Sequence, residues 1–326
     1  FNPSTAINQL EFWQKESFDP ETIDSELAWS AEIGMNCHRV YLHNLLWEQD
    51  STGLLNRIDQ YLEIADKYAI TTMFVLLDDV WDPYPKLGKQ PNPKPHLHNS
   101  GWVQAPGAEI LGDSTRHMEL MGYVKGIISK YAEDERVICW DLYNEPDNTN
   151  KKKYKDIENK HIYSLALLKK VFTWAREVNP SQPLTCGLWK LEEHWGNTDS
   201  MRALERFMLF NSDVISFHAY DSGAVAVQQK IESLKKYNRP ILCTEYMARG
   251  NYNTFKELLP IFLENKIAAF NWGLVVGKTN TIYPWHSWYE TFTSEPELWF
   301  HDIFRPDGTP FNQEEINLIK ELTSFQ

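Results

Sequence analysis

The chain has 326 residues, is 42% hydrophobic, and carries a formal net charge of -13 from 45 acidic and 32 basic residues. This acidic balance argues against a nucleic-acid partner, because phosphate binding needs a basic face. No apolar stretch approaches the roughly 18 residues that a membrane span needs. The 4 cysteines lie singly in apolar runs, without the spacing of a zinc or redox motif, and predict buried thiols.

Short apolar runs alternate with longer amphipathic stretches along the chain. Runs this apolar predict strands that are buried on both faces, as in a parallel sheet covered by helices. The predicted strands are Cys37–Leu42, Thr72–Leu77, Val137–Tyr143, Leu184–Gly187, Val214–His218, Ile241–Thr244 and Ala268–Trp272. The predicted helices are Pro20–Ile33, Leu55–Tyr68, Ser114–Tyr131, Asp156–Val178, Ser200–Phe210, Ala224–Tyr237, Thr254–Glu264 and Asn312–Leu322.

The alternation predicts an α/β fold, a (β/α)8 TIM barrel that forms one domain over residues 1–326. No strand is evident before the first helix, so we expect the first strand to be short, truncated or formed by residues 1–6. Two connections from strand to helix are long, Asp78–Asp113 and Gly273–Phe311. Long loops at one end of a barrel usually build the binding site.

Two of the predicted strands end in glutamate. Glu145 follows the run Val137–Tyr143 and lies between an asparagine and a proline, and Glu245 follows Ile241–Thr244. In an α/β barrel, the carboxyl ends of the strands carry the active site. Two carboxylates that face one cavity are the minimum equipment for hydrolysing a glycosidic bond. We therefore interpret Glu145 as a general acid/base and Glu245 as a nucleophile.

Polar and aromatic neighbours fit this interpretation. Asn144 is placed to hydrogen-bond the 2-hydroxyl of a sugar, and Tyr220 to donate a hydrogen bond that keeps Glu245 ionised. Several tryptophans fall in predicted loops, where the ring either stacks on a sugar or packs the loop onto the barrel, and both readings stay open. These are Trp81, Trp102, Trp195, Trp285 and Trp288.

From Leu27 to Trp272, these motifs resemble the retaining glycosidases of glycoside hydrolase clan A, and family 5 (the cellulase and mannanase family) in particular. The resemblance implies the same roles for Glu145 and Glu245. It also implies a β-linked, plant-type oligo- or polysaccharide as substrate, no cofactor and no metal, and export or a periplasmic location. The acidic net charge leads us to expect a neutral glycan.

The resemblance assigns further residues. Arg39 matches the arginine that supports the nucleophile in that family, and His218 with Tyr220 matches its His-x-Tyr motif. Trp272 matches the tryptophan that forms the floor of the sugar subsite.

One segment departs from the family pattern. A histidine is frequent there at the strand end that reads Leu77-Asp78-Asp79-Val80-Trp81 in this chain. We expect Asp79 and Trp81 to bind the sugar instead, together with His98 and Trp102 from the same long loop, although all four could serve the scaffold. Such a loop suggests a partly closed pocket, with exo action or a branched substrate.

Two other classes of function are open. His96-Leu97-His98 is a candidate metal pair of a metal-dependent barrel hydrolase, although it lies in mid-loop rather than at a strand end. A non-catalytic sugar-binding barrel would keep the aromatic residues and lose a carboxylate, whereas this chain has both.

Overall fold

Parallel strands, paired in chain order, form the centre of the molecule. The computed structural model describes residues 1–220 and 223–324. The first sheet contains β1 (Cys37–Tyr41), β2 (Thr71–Val75), β3 (Val137–Asp141) and β4 (Leu184–Thr185). The second contains β5 (Ile215–Ala219), β6 (Ile241–Tyr246) and β7 (Ala268–Asn271). A parallel bridge between Leu188 and Phe217 connects the two sheets.

Helices cover the outside of the strands, as the predicted βα alternation requires. The fold is therefore the predicted (β/α)8 type of barrel, with seven strands in the described residues. The helices are α1 (Gln9–Trp13), α2 (Pro20–Glu32), α3 (Asn44–Lys67), α4 (Ala108–Leu111), α5 (Met121–Lys130), α6 (Lys160–Val178), α7 (Ala203–Asn211), α8 (Gly223–Lys235), α9 (Phe255–Glu264) and α10 (Gln313–Thr323).

Local signals explain where the helices begin. The Asp19 side chain accepts a hydrogen bond from the Thr22 amide, and Pro20 is the first helical residue of α2, as predicted. Helix α3 begins at Asn44 rather than at the predicted Leu55. Its first part was missed because Asp50 has non-helical dihedral angles, which interrupts the 3.6-residue periodicity.

The position of the expected first strand lies between β7 and β1, which do not pair with each other. In the described residues, the segment before α1 has no strand. The amino group of Phe1 donates a hydrogen bond to the Arg39 carbonyl, and its ring packs against His38 with centroids 5.1 Å apart. A cavity of about 480 Å³ lies beside it, lined in part by residues of β1 and β7.

The two long loops interlock over the carboxyl ends of the strands. Nδ1 of His98 lies 2.8 Å from the Tyr283 carbonyl, and the Trp288 indole donates to the His98 carbonyl at 2.8 Å. The rings of Trp81 and Trp288 stack with centroids 5.0 Å apart. The loops thus form one wall at the end of the barrel where the predicted site lies.

All four cysteines are free thiols, and the prediction of burial is confirmed for Cys139, Cys186 and Cys243, whereas Cys37 is partly exposed. A search of the helices in the described residues found none with the length and apolar content that a bilayer crossing requires.

Candidate active site

The carboxyl ends of β3 and β6 bring Glu145 and Glu245 together. One oxygen of each carboxylate and Nδ1 of His218 all lie within 4.8 Å of one another. Both glutamates line a cavity of about 430 Å³. The backbone of Glu145 has a φ of 43°, in the left-handed region that residues other than glycine seldom adopt. Strained backbone of this kind concentrates at functional sites.

Glu245 is held by a dense set of donors. Nη1 of Arg39 and the Tyr41 hydroxyl each donate to Oε1 at 2.8 Å, and the Tyr220 hydroxyl donates to Oε2 at 2.9 Å. Burial by itself raises the pKa of Glu245, but the charges of His218 and Arg39 and the two tyrosine hydroxyls outweigh it. The pKa therefore lies below its ordinary value. Glu245 is ionised at neutral pH, as a nucleophile must be.

Glu145 has a different environment. Oε1 lies 2.7 Å from Nδ1 of His218, and Oε2 accepts a short hydrogen bond from the Asn148 side chain. No arginine or tyrosine contacts this carboxylate in the described residues. Two carboxylates in one cavity thus have separate surroundings, which is the usual basis for separate acid/base and nucleophile roles.

The side-chain amide of Asn144 is fixed from both sides. Its oxygen accepts from Nη2 of Arg39 at 2.7 Å, and its nitrogen donates to the Asp78 carboxylate at 3.0 Å. An amide nitrogen carries two hydrogens, so one remains to contact a substrate in the cavity that Asn144 lines.

Asp78 is a site residue that sequence reasoning missed. Besides Asn144, the Trp102 indole donates to it at 2.7 Å and Gln9 at 3.2 Å. Burial raises the pKa of Asp78 to about 8, although the hydrogen bonds from Asn144 and Trp102 oppose the shift. The available signal was its position directly after the apolar run that contains β2, a position that its neighbour Asp79 nearly shares.

Asp79, which we expected to bind the sugar, is buried and does not line the cavity. Its carboxylate accepts hydrogen bonds from the Tyr143 hydroxyl at 2.7 Å, from the Ser164 hydroxyl at 2.8 Å and from the Asp147 amide at 2.7 Å. The ammonium of Lys160 lies 3.6 Å away. Because the side chains of consecutive residues in an extended segment point to opposite sides, the Asp79 side chain faces α6, whereas the Asp78 side chain faces the site.

Apart from Arg39, which contacts Glu245 from behind the cavity lining, the other predicted binding residues do line the cavity, but their contacts differ. Trp81 and Trp272 are partly exposed there, whereas His98 and Trp102 are buried and hold other parts of the loops. Trp195 is fully buried and belongs to the core. Lining residues that were not assigned, or were left open, include Trp189, Trp285, Trp288, Tyr289, Lys230 and His301.

Of the candidate metal pair, His98 lines the cavity and His96 does not. Nδ1 of His96 lies 2.6 Å from the Tyr283 hydroxyl, and His98 contacts the carbonyl of the same tyrosine. In the part of the chain that the structure describes, one group of side chains has the spacing of a metal site, and it consists of Glu145, His218 and Glu245.

Comparison with solved structures shows the same fold at low identity. GH5_18 from Streptomyces cattleya in complex with Manb1-4GlcNAc is 10% identical, with a TM-score of 0.61 over 99% of this chain and 80% of that chain. The endo-1,4-beta-mannanase from Rhizomucor miehei is 12% identical, with a TM-score of 0.61 over 99% and 94%. The beta-glucuronidase of Bacteroides uniformis is 14% identical, with a TM-score of 0.56 over 94% of this chain and 34% of that chain.

The sequence itself identifies the family. A search of curated proteins found no match. The sequence model of the cellulase family, glycosyl hydrolase family 5, matches residues 11–276. This span includes both strand-end glutamates and most of the chain. The chain therefore belongs to glycosyl hydrolase family 5 and is a glycoside hydrolase.

Proposed function

We propose that residues 1–326 form the catalytic domain of a retaining glycosidase that cleaves β-linked glycans by double displacement. The supporting observation is the short separation of the two carboxylates, whose facing oxygens lie within 4.8 Å. Inverting enzymes separate their carboxyl groups by roughly 6.5–9.5 Å to admit a water molecule, and retaining enzymes by about 5–5.5 Å.

In the first step, protonated Glu145 gives its proton to the glycosidic oxygen while Glu245 attacks the anomeric carbon. The bond from that carbon to the leaving oxygen breaks, and a glycosyl ester with Glu245 forms. In the second step, Glu145 as a carboxylate takes a proton from water, and the resulting hydroxide displaces Glu245. Two inversions leave the anomeric configuration unchanged.

The surrounding residues serve these steps. Arg39, Tyr41 and Tyr220 keep Glu245 ionised before attack. The free hydrogen of the Asn144 amide is directed to the 2-hydroxyl of the sugar, a contact that strengthens as positive charge develops in the transition state. Trp272 lines the same cavity and offers an apolar face to the sugar ring.

The substrate class follows from the family and from the loops. Family 5 membership and the mannanase name of one neighbour support a β-linked, plant-type polysaccharide, and the resemblance favours an exported or periplasmic enzyme. The interlocked loops that carry Trp81 and Trp288 wall one side of the cavity. This wall supports a partly closed site, with exo action or a branched substrate.

The proposal is tested with aryl β-glycosides and plant polysaccharides, using the wild type and Glu245→Ala in parallel. Cleavage by the wild type alone, with the β-anomer of the product appearing first by proton NMR, supports the proposal. Initial release of the α-anomer would indicate inversion, and unchanged activity of Glu245→Ala would remove this residue from the mechanism. Binding without cleavage would favour a sugar-binding barrel.

A further inference from the structure

Three lysine ammonium groups surround two aromatic rings at the mouth of the active-site cavity. Trp288 and Tyr289 both line the cavity, and the Tyr289 side chain is 61% exposed. Nζ of Lys94 lies 5.9 Å and Nζ of Lys153 lies 5.8 Å from the Trp288 ring centroid. Lys153 and Lys152 lie 4.8 and 5.4 Å from the Tyr289 centroid. We name these five residues the lysine rim.

The three rim lysines have no acidic partner among residues 1–220 and 223–324, where no carboxylate lies within 4 Å of their ammonium groups. Nζ of Lys153 donates to the Trp288 carbonyl at 2.6 Å. The acidic residues nearest in sequence lie beside other side chains. Asp156 pairs with Lys160 at 3.1 Å, and Glu158 pairs with Lys151 at 3.0 Å. Glu290 lies 3.8 Å from the ring of His286.

This arrangement concentrates positive charge in an acidic molecule. Because Lys94 and Lys153 share one ring, their ammonium groups are no more than about 12 Å apart. Cation–π contacts with the rings offset part of the mutual repulsion. A bound anion would offset more of it, and the exposed position leaves room for one.

The floor of the cavity has the opposite charge. Glu145 and Glu245 lie there, and an anionic group beside them would be repelled. The expectation of a neutral glycan rested on the net charge of the whole chain. Salt screens exposed charges beyond roughly 8–10 Å, so the groups that touch the substrate outweigh the distant ones.

We propose that the lysine rim binds an anionic substituent of the glycan, a uronate carboxylate or a sulfate ester, on a sugar residue remote from the cleaved bond. The inference rests on the proposed function, because it places the substrate in the same cavity. The exposed ring of Tyr289 would contact that sugar while the ammonium groups contact its anion.

The test compares matched acidic and neutral substrates. One arm uses a uronate-bearing plant polysaccharide and the same preparation after reduction of its carboxyl groups to alcohols. The other arm uses a sulfated polysaccharide and its desulfated form. The quantity measured is the ratio of kcat/KM for the acidic form to that for the neutral form, which does not depend on the fraction of active enzyme.

We expect a ratio above one in at least one arm for the wild type, and the arm identifies the substituent. In the combined variant Lys94→Gln, Lys152→Gln and Lys153→Gln, the ratio should fall about fivefold to tenfold, as expected for three exposed charge contacts. Raising the salt to about 1 M, where the Debye length is about 3 Å, should reduce the wild-type ratio in the same direction.

The control variant removes the same charge elsewhere. It carries the substitutions Lys67→Gln, Lys130→Gln and Lys235→Gln. These lysines lie in the last turns of α3, α5 and α8, at the opposite end of the barrel. This control should keep the wild-type ratio. If the proteins still cleave the substrates, the inference would be overturned by equal acidic-to-neutral ratios in all three proteins. An equal fall of this ratio in both variants would overturn it as well. Failure to cleave either form would count against the proposed function instead.

Discussion

Nδ1 of His218 lies 2.7 Å from Oε1 of Glu145 and 3.7 Å from Oε2 of Glu245, so one ring nitrogen faces both carboxylates. Two ionised carboxylates this close would otherwise repel each other. A proton on this nitrogen stabilises the state in which Glu245 is ionised. Its hydrogen bond to Glu145 also fixes the position of the proposed acid.

The hydroxyl of Tyr220 should set part of the pH dependence of activity. It donates to Oε2 of Glu245 and lowers the pKa of that carboxyl. In Tyr220→Phe this donor is lost, so the pKa rises and Glu245 becomes protonated at higher pH. We expect the acid limb of the kcat/KM profile to move up by about one pH unit, the size of one hydrogen bond to a charged group.

The matched control for this experiment is Tyr123→Phe. The Tyr123 hydroxyl is also buried, but it donates to the Leu76 carbonyl at 2.9 Å. Its profile should keep the wild-type acid limb. If both variants shift equally, or if neither shifts, Tyr220 does not act through Glu245.

Glu145→Gln should separate the two steps of the proposed mechanism. General acid catalysis contributes roughly 10²- to 10⁴-fold, so the glycosylation rate on substrates with poor leaving groups should fall by that order. Aryl glycosides whose leaving group departs without protonation should lose far less in kcat/KM. The measurement is the ratio between the two substrate types, and a similar loss on both would argue against an acid role.

The strand-end residues were predictable because a parallel barrel places the carboxyl ends of all strands at one edge. Glu145 and Glu245 required only the apolar runs and the rule about where sites form, whereas Arg39 was assigned through the family resemblance. The sequence did not show whether Asp78 or Asp79 faces the site, because the run before them is apolar at consecutive positions. Without alternation, a sequence does not indicate which of two neighbours faces the site.

The loop tryptophans show a second limit. Trp195 is buried in the core, whereas Trp285 and Trp288 line the cavity. All three lie in or directly after short 3-10 helices, which are too brief to show periodicity, so no pattern distinguishes them. Their places depend on contacts between loops that are distant in sequence, such as the hydrogen bond from the Trp288 indole to His98.

Chelation should leave the activity unchanged. In the proposed mechanism Glu145 and Glu245 act on the substrate directly, although with His218 they have the spacing of a metal site. We expect the same kcat/KM before and after dialysis against EDTA, and no gain on adding Zn²⁺, Mn²⁺ or Ca²⁺. Loss on chelation with recovery on adding one of these ions would favour the metal-dependent hydrolase.

Glu26 should make the stability of the protein depend on pH. This side chain of α2 is 1% exposed and accepts a hydrogen bond from the Ser4 amide at 3.0 Å. Burial raises the pKa of Glu26 from 4.5 to about 7, although the Ser4 donors oppose the shift. The folded state therefore favours protonated Glu26. Its contribution is fully present below pH 4.5 and is lost as the pH rises through about 7.

Glu26→Gln removes this ionisation, so the variant should gain stability relative to the wild type as the pH rises. Relative to the wild type, the free energy of unfolding of the variant should increase by up to about 3 kcal/mol between pH 4.5 and pH 8. Urea denaturation at both pH values measures it. The control Glu32→Gln changes an exposed carboxylate at the end of the same helix and should follow the wild type at both. A constant difference between Glu26→Gln and the wild type would mean that Glu26 ionises equally in the folded and unfolded states.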